Sequence, residues 1–92
     1  MNFIWDENKN ALNKKKHGIS FETAAYVFKD QMRIQIYDEL HSIDEERWQV
    51  IGCVSGAVLF VVETEISEDL IRIISARPAT GAERKAYYGQ DN

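Results

Sequence analysis

Four cationic side chains, Arg72, Arg77, Arg84 and Lys85, stand in or just after one otherwise apolar stretch running from Leu70 to Tyr88. Guanidinium and ammonium groups delivered at the end of a buried strand make a place where phosphate could sit. His17 carries the ring best suited by type to give or take a proton near neutral pH. Tyr87 could orient a phosphate or stack on a base. Such a set suits cleavage of RNA through its own 2′-hydroxyl. That reaction needs a base for the hydroxyl, an acid for the leaving 5′-oxygen and cations for the charge that builds on phosphorus, and it requires no metal or other cofactor. No glycine-rich phosphate loop, metal-ligand spacing or nucleophile elbow is present.

Each of these residues has a plainer reading beside the chemical one. His17 could serve as a cation at a helix C-terminus. Arg72 and Arg77 differ by an odd number, so a regular strand sends them to opposite faces, and both serve one site only if the strand twists or ends between them. Arg72 could instead pair with Glu63 or Glu65 on a neighbouring strand. Glu83 completes a capping box with Thr80. Tyr87 could be half-buried packing. Glu45, Glu46 and Arg47 read as a charged strand entrance. Asp38, His41 and Asp44 match no metal-site spacing and read as a solvated loop.

The elements that must position these groups fit one domain over residues 1–92. A net charge of −4 argues against a protein that binds nucleic acid over its whole surface. The cations nevertheless gather at Lys14–His17 and Arg72–Lys85, the acids at Asp38–Glu46 and Glu63–Asp69, which leaves room for a basic groove on an acidic body. The longest apolar run, Ala57–Val62, is too short to span a bilayer, and the first residues hold no apolar signal core. The single cysteine, Cys53, has no partner within the chain, which fits a reducing, cytoplasmic setting.

Phe3-Ile4-Trp5 reads as an edge strand or a packed arm. Asp6 caps a first helix that reaches about Lys16 and stops at Gly18. Ser20 opens a second helix, with Phe21, Ala24, Ala25 and Phe28 as its apolar stripe. From Met32 the period becomes two, and strands follow at Met32–Tyr37, Arg47–Val54, Ala57–Thr64 and Ile71–Arg77, joined by short turns after the acidic connection. Thr80 caps a final helix. The expected fold is α+β: two N-terminal helices, a four-stranded antiparallel meander with a possible N-terminal edge strand, and a C-terminal helix.

Several segments resemble one family in order along nearly the whole chain. They are Phe3-Ile4-Trp5-Asp6-Glu7 with Lys9, Lys16-His17-Gly18-Ile19 followed by Phe21-Glu22 and Ala24, and Glu45-Glu46-Arg47. Ile71-Arg72-Ile73-Ile74-Ser75-Ala76-Arg77 with Ala79, Glu83-Arg84 and Tyr87 complete the set. Together they resemble the BrnT-type toxins of type II toxin–antitoxin systems. The resemblance implies a RelE-like ribonuclease fold and neutralisation by a BrnA-type antitoxin. The antitoxin's ribbon-helix-helix domain binds operator DNA, so that the toxin reaches DNA only through it. It implies Lys16, His17, Glu46, Arg47, Arg72, Arg77 and Tyr87 as functional positions, of which Lys16 and Arg47, with Arg84 and Lys85, would contact RNA. Gly81 and Ala82 stand where many relatives carry basic residues. The alternative from another class is a copy that cuts little and acts by binding the antitoxin and tuning repression.

Overall fold

Strand pairing accounts for most of the chain's long-range order. The structure, a computed structural model, describes residues 1–90; Asp91 and Asn92 lie outside it. The strands are β1 (Asn2–Ile4), β2 (Ile34–Tyr37), β3 (Trp48–Val54), β4 (Ala57–Ser67) and β5 (Leu70–Pro78). They form one sheet in the order β1-β5-β4-β3-β2. The last four make the antiparallel meander, but the whole sheet is five-stranded and mixed, because β1 pairs parallel with β5. Phe3 and Ile4 therefore form an edge strand whose direction no local pattern reveals. β4 continues to Ser67 because Ile66 and Ser67 extend the strand, which shortens the next turn to Glu68-Asp69. The β3–β4 turn is Ser55-Gly56, both with positive φ (49° and 87°), as a tight two-residue hairpin demands.

Helix α1 (Glu7–His17) begins where Asp6 accepts hydrogen bonds from the Asn8 and Lys9 amides, and it ends at Gly18 with φ 74°. Two asparagines rather than an apolar stripe hold it. Asn10, buried, accepts from the Phe21 amide and donates to Glu22. Asn13 accepts from the Ala76 amide and donates to the Ala76 carbonyl. Both backbone groups of Ala76 thus point away from β4, and Asn13 completes the edge of β5 where the three residues of β1 run out.

Helix α2 (Phe21–Ala24), capped by Ser20, tightens at once into a 3-10 helix over Ala25–Lys29. At three residues per turn the buried positions fall at intervals of three. Phe21, Ala24 and Val27 are fully buried, whereas Phe28, expected on the stripe, is only partly so. These residues pack on Val50, Leu59, Val61, Ile73 and Ala76 to make the main core on one face of the sheet. Helix α3 (Gly81–Tyr88) crosses the opposite face, where Tyr87 and Ala79 pack on Ile51 and Val58. It covers only one end of that face. Among the described residues no helix is long and apolar enough to cross a membrane.

Candidate active site

The uncovered end of the α3 face is a cleft of about 360 Å³ lined by Asp38, His41, Arg47, Gln49, Phe60, Val62, Ile74, Ser75 and Arg77. Its cations owe their common side to a fault in β5. Val62 pairs with Ser75 but Glu63 pairs with Ile73, which leaves Ile74 as an extra, unpaired residue. Such a bulge changes the phase of alternation. Arg72 lies opposite Thr64 and Arg77 opposite Phe60, and Thr64 and Phe60 are an even number apart on a regular stretch of β4. Both arginines therefore stand on the open face, despite their odd separation. Four residues of β4 put them about 13 Å apart along the sheet, so they suit different positions on an extended ligand.

Arg77 is held from two sides. Its Nη1 and Nη2 donate to the two Glu83 oxygens at 2.8 and 2.9 Å, and its guanidinium lies 4.0 Å from the centre of the Phe60 ring. Glu83 also accepts from the Thr80 amide, while Thr80 accepts from the Glu83 amide. The capping box expected from sequence is present, and its acid is at the same time the clamp for Arg77. The hydrogen bond from Arg77 draws the Glu83 carboxyl below the usual carboxylate range against the opposing effect of burial. Arg72 pairs with Glu45, not with Glu63 or Glu65. That contact crosses from β5 to the loop before β3, a distance along the chain that spacing rules do not bridge.

Arg47 heads β3 and faces the cleft with fewer restraints. Its Nη2 lies 3.8 Å from Glu45, and its buried Nε has no hydrogen-bond partner among the described residues. Its backbone is firmly placed: the Arg47 amide donates to Ser42 Oγ, and its carbonyl accepts from the Asp38 amide. Ser42 Oγ donates in turn to the Asp38 carbonyl at 2.6 Å. Thr64 ties the same loop to β4 through the Glu46 carbonyl. The Glu46 side chain itself points to solvent and makes no bond among the described residues.

The segment read as a solvated loop thus forms one wall of the cleft. Asp38 is buried, and its carboxylate accepts from His41 Nδ1 at 2.9 Å and from the His41 amide. Burial alone would raise the Asp38 carboxyl, but the hydrogen bonds from His41 hold it below its ordinary value. Asp38, His41 and Asp44 do not gather as metal ligands; among the described residues no three His, Cys, Asp or Glu side chains do. A signal for His41 existed in the local Asp-x-x-His spacing, which suits a turn capped by its acid, but nothing local says that the turn faces Arg77.

Other expected site residues lie elsewhere. His17 is half-buried in the last turn of α1, one turn beyond Asn13 at the outer edge of β5, and it does not line this cleft. Lys16 is exposed on the same turn. Arg84 donates to the Ala79 carbonyl, and Lys85 is exposed on α3. Tyr87 is buried in the covered part of the face, where its hydroxyl donates to Asp30. That hydrogen bond, with burial behind it, raises the Tyr87 hydroxyl well above its ordinary value and leaves it a poor proton donor. Asp30 is a hub that sequence inspection passes over. It accepts from Tyr87, from the Cys53 amide and from the Met32 amide, joining α3, β3 and the end of the 3-10 helix.

No curated protein matches the chain. Its fold is similar to a crystal structure of the Brucella abortus ribonuclease toxin BrnT at 1.1 Å, with 24% identity and a TM-score of 0.69, covering 87% of this chain and 97% of that one. At that identity the likeness speaks for the fold. The sequence itself matches the family model described as the ribonuclease toxin BrnT of type II toxin–antitoxin systems over residues 5–83. A match from Trp5 to Glu83 takes in both walls of the cleft and the acid that clamps Arg77, and the chain belongs to the BrnT family of ribonuclease toxins.

Proposed function

We propose that this toxin is a metal-independent endoribonuclease that arrests translation by cutting RNA from the open face of the sheet, on a RelE-like scaffold. The observation that carries the reading is the bulge at Ile74, which turns Arg72 and Arg77 to one side beside Arg47. Arg47 and Arg77 line one cleft together with Phe60 and Val62. Two cations beside an apolar floor can hold a phosphodiester and stabilise the dianionic phosphorane. Arg72, farther along the same face, meets a neighbouring phosphate. In the reaction the 2′-oxygen attacks the adjacent phosphorus, the bond to the 5′-oxygen breaks, and a 2′,3′-cyclic phosphate and a 5′-hydroxyl remain.

Arg72 and Arg77 are each hydrogen-bonded to a carboxylate, which fixes their direction and moderates their charge, while Arg47 comes no nearer than 3.8 Å to Glu45. That suits a toxin whose net charge of −4 leaves RNA affinity to a local patch. Release from a BrnA-type ribbon-helix-helix antitoxin would uncover the face, and operator DNA is reached only through that partner. The setting is cytoplasmic, with no membrane role.

The test is expression of the chain alone in a bacterial host, with wild type, Arg47→Ala and Arg77→Ala compared for growth and for new 5′-hydroxyl RNA ends. Arrest with such ends in the wild type, lost in both variants, is expected. Full toxicity in both variants would overturn the assignment of the cleft.

A further inference from the structure

The cleft brings together cations and an apolar floor, but proton transfer needs a group of its own, and the side chain in place for it is His41. We propose that His41 is the general base of the cleft, held by Asp38, and that it takes the proton from the attacking 2′-hydroxyl. This inference rests on the nuclease reading of the same site.

Three observations carry it. First, the pair has the geometry of an oriented base: Nδ1 of His41 lies 3.0 and 2.9 Å from the two Asp38 oxygens, and Asp38 is buried while the ring is 65% exposed. A carboxylate that accepts from Nδ1 keeps a proton there and presents the lone pair of Nε2 outward. Nε2 has no partner among the described residues.

Second, the ring stands between two spaces. His41 and Arg47 line both the cleft that holds Arg77 and an adjoining one of about 450 Å³ lined also by Ile43, Asp44 and Glu45. A strand of RNA that occupies both spaces passes His41 and Arg47, which border each of them. The charged and titratable groups facing the ring are Asp38 beneath it, Arg47 at the head of β3, Arg77 on β5, and Asp44 and Glu45 on the adjoining wall.

Third, the loop is built to keep the ring still. Asp38 accepts from the His41 amide, Ser42 bonds both ends of the loop, and the Asp38 amide closes onto the Arg47 carbonyl. A solvated connection has no need of a buried acid and a hydroxyl spent on its own backbone. A base that must stay within hydrogen-bond reach of one oxygen does.

In the step itself, Nε2 takes the 2′-hydroxyl proton as the oxygen bonds to phosphorus. The departing 5′-oxygen takes a proton from water, which has free access to the open cleft. The imidazolium then returns its proton to solvent.

The test uses the full-length chain with a short RNA message, free and on purified ribosomes, and measures cleavage between pH 5.5 and 8.5. His41→Ala should cut about 100-fold more slowly, the low end of what a positioned base supplies, with KM little changed and with the acid limb of the pH profile gone. Added imidazole should restore part of the rate in His41→Ala and none in Arg47→Ala. Asp38→Asn, a change to a positioning residue, should lose less and shift the midpoint of the acid limb. Removing the ring takes a hydrogen bond from the buried Asp38, so His41→Ala should unfold at a lower urea midpoint, and rates are compared per folded protein. Wild-type rate and pH profile in His41→Ala, or a loss that imidazole leaves untouched, would overturn the role of His41 while the nuclease reading stands. A folded wild type that cuts neither form of the message overturns the nuclease reading, and this inference with it.

Discussion

The two faces of the sheet treat charge in opposite ways. On the helix-covered face Glu63 is fully buried between Trp48 and Ile73 in the ladder, and among the described residues no donor reaches either of its oxygens. On the other face Glu83, Glu45, Asp38 and Asp30 are each bonded to a cation, a ring nitrogen or a hydroxyl. The sealed face gets its strength from apolar packing and carries a charge it cannot satisfy. The open face spends its acids on aiming other side chains. Stability and chemistry therefore depend on different residues of the same strands, and substitutions should separate them.

The largest separation is expected at Arg47. Its guanidinium has no close partner to lose, so Arg47→Ala should slow RNA cleavage by about 100-fold or more, or roughly 3 kcal/mol of transition-state stabilisation. Urea unfolding should move by less than about 1 kcal/mol. A large loss of stability in this variant would mean that the open face, too, is built for packing.

Asp30→Ala tests the covered end of that face. It strands the Tyr87 hydroxyl and two amides, and should cost about 3 kcal/mol of stability while leaving the activity of the folded fraction near that of the wild type. Denaturation and activity normalised to folded protein would decide between these outcomes.

Glu63 gives the sealed face a pH signature. Burial first, and the charge of Glu65 second, raise its carboxyl to about 7. The folded chain then holds this proton more tightly than the unfolded chain, whose carboxyl has its ordinary value near 4.5. The stability tied to Glu63 is whole below that ordinary value and falls as pH rises toward and through about 7, by roughly 3 kcal/mol in all. Glu63→Gln should flatten that slope in urea midpoints taken between pH 5 and 8, and an unchanged slope would count against an unpaired acid.

The smallest effect is expected from Tyr87→Phe, which removes one hydrogen bond to a charged acceptor and keeps the ring. A loss of about 1.5 kcal/mol with cleavage retained fits its place in the covered part of the face. Loss of cleavage without loss of stability would return Tyr87 to the reacting groups.

What could be read from the sequence follows the reach of each interaction. Asp6, Gly18, Ser20 and the Thr80–Glu83 box act within one turn, and their types alone reveal them. The meander was legible because alternation and short turns are also local. Parallel pairing of Asn2–Ile4 with Leu70–Arg72, the Glu45 partner of Arg72 and the Asn13 graft onto Ala76 join residues far apart in the chain, and no spacing rule encodes them. The core stripe shifted from Phe28 to Val27 because the helix tightened, a change that apolar spacing over nine residues cannot distinguish. The site itself divides along the same line. Arg72 and Arg77 stand out in the sequence as a group with Arg84 and Lys85, whereas Glu83 reads there only as a cap. His41 reads in the sequence as part of a solvated loop, because only the fold brings it to the same cleft as Arg77.

The extra residue in β5 also gives the strand a residue to lose. Deleting Ile74 would remove no charge, no cap and no member of the main core, and Ser75 would then follow Ile73 in regular alternation. Ala76 would still point into the core and Arg77 would still stand on the open face. At this position the bulge is spare length in the frame of the strand. A library of single deletions along β5 should find Ile74 its most tolerant position.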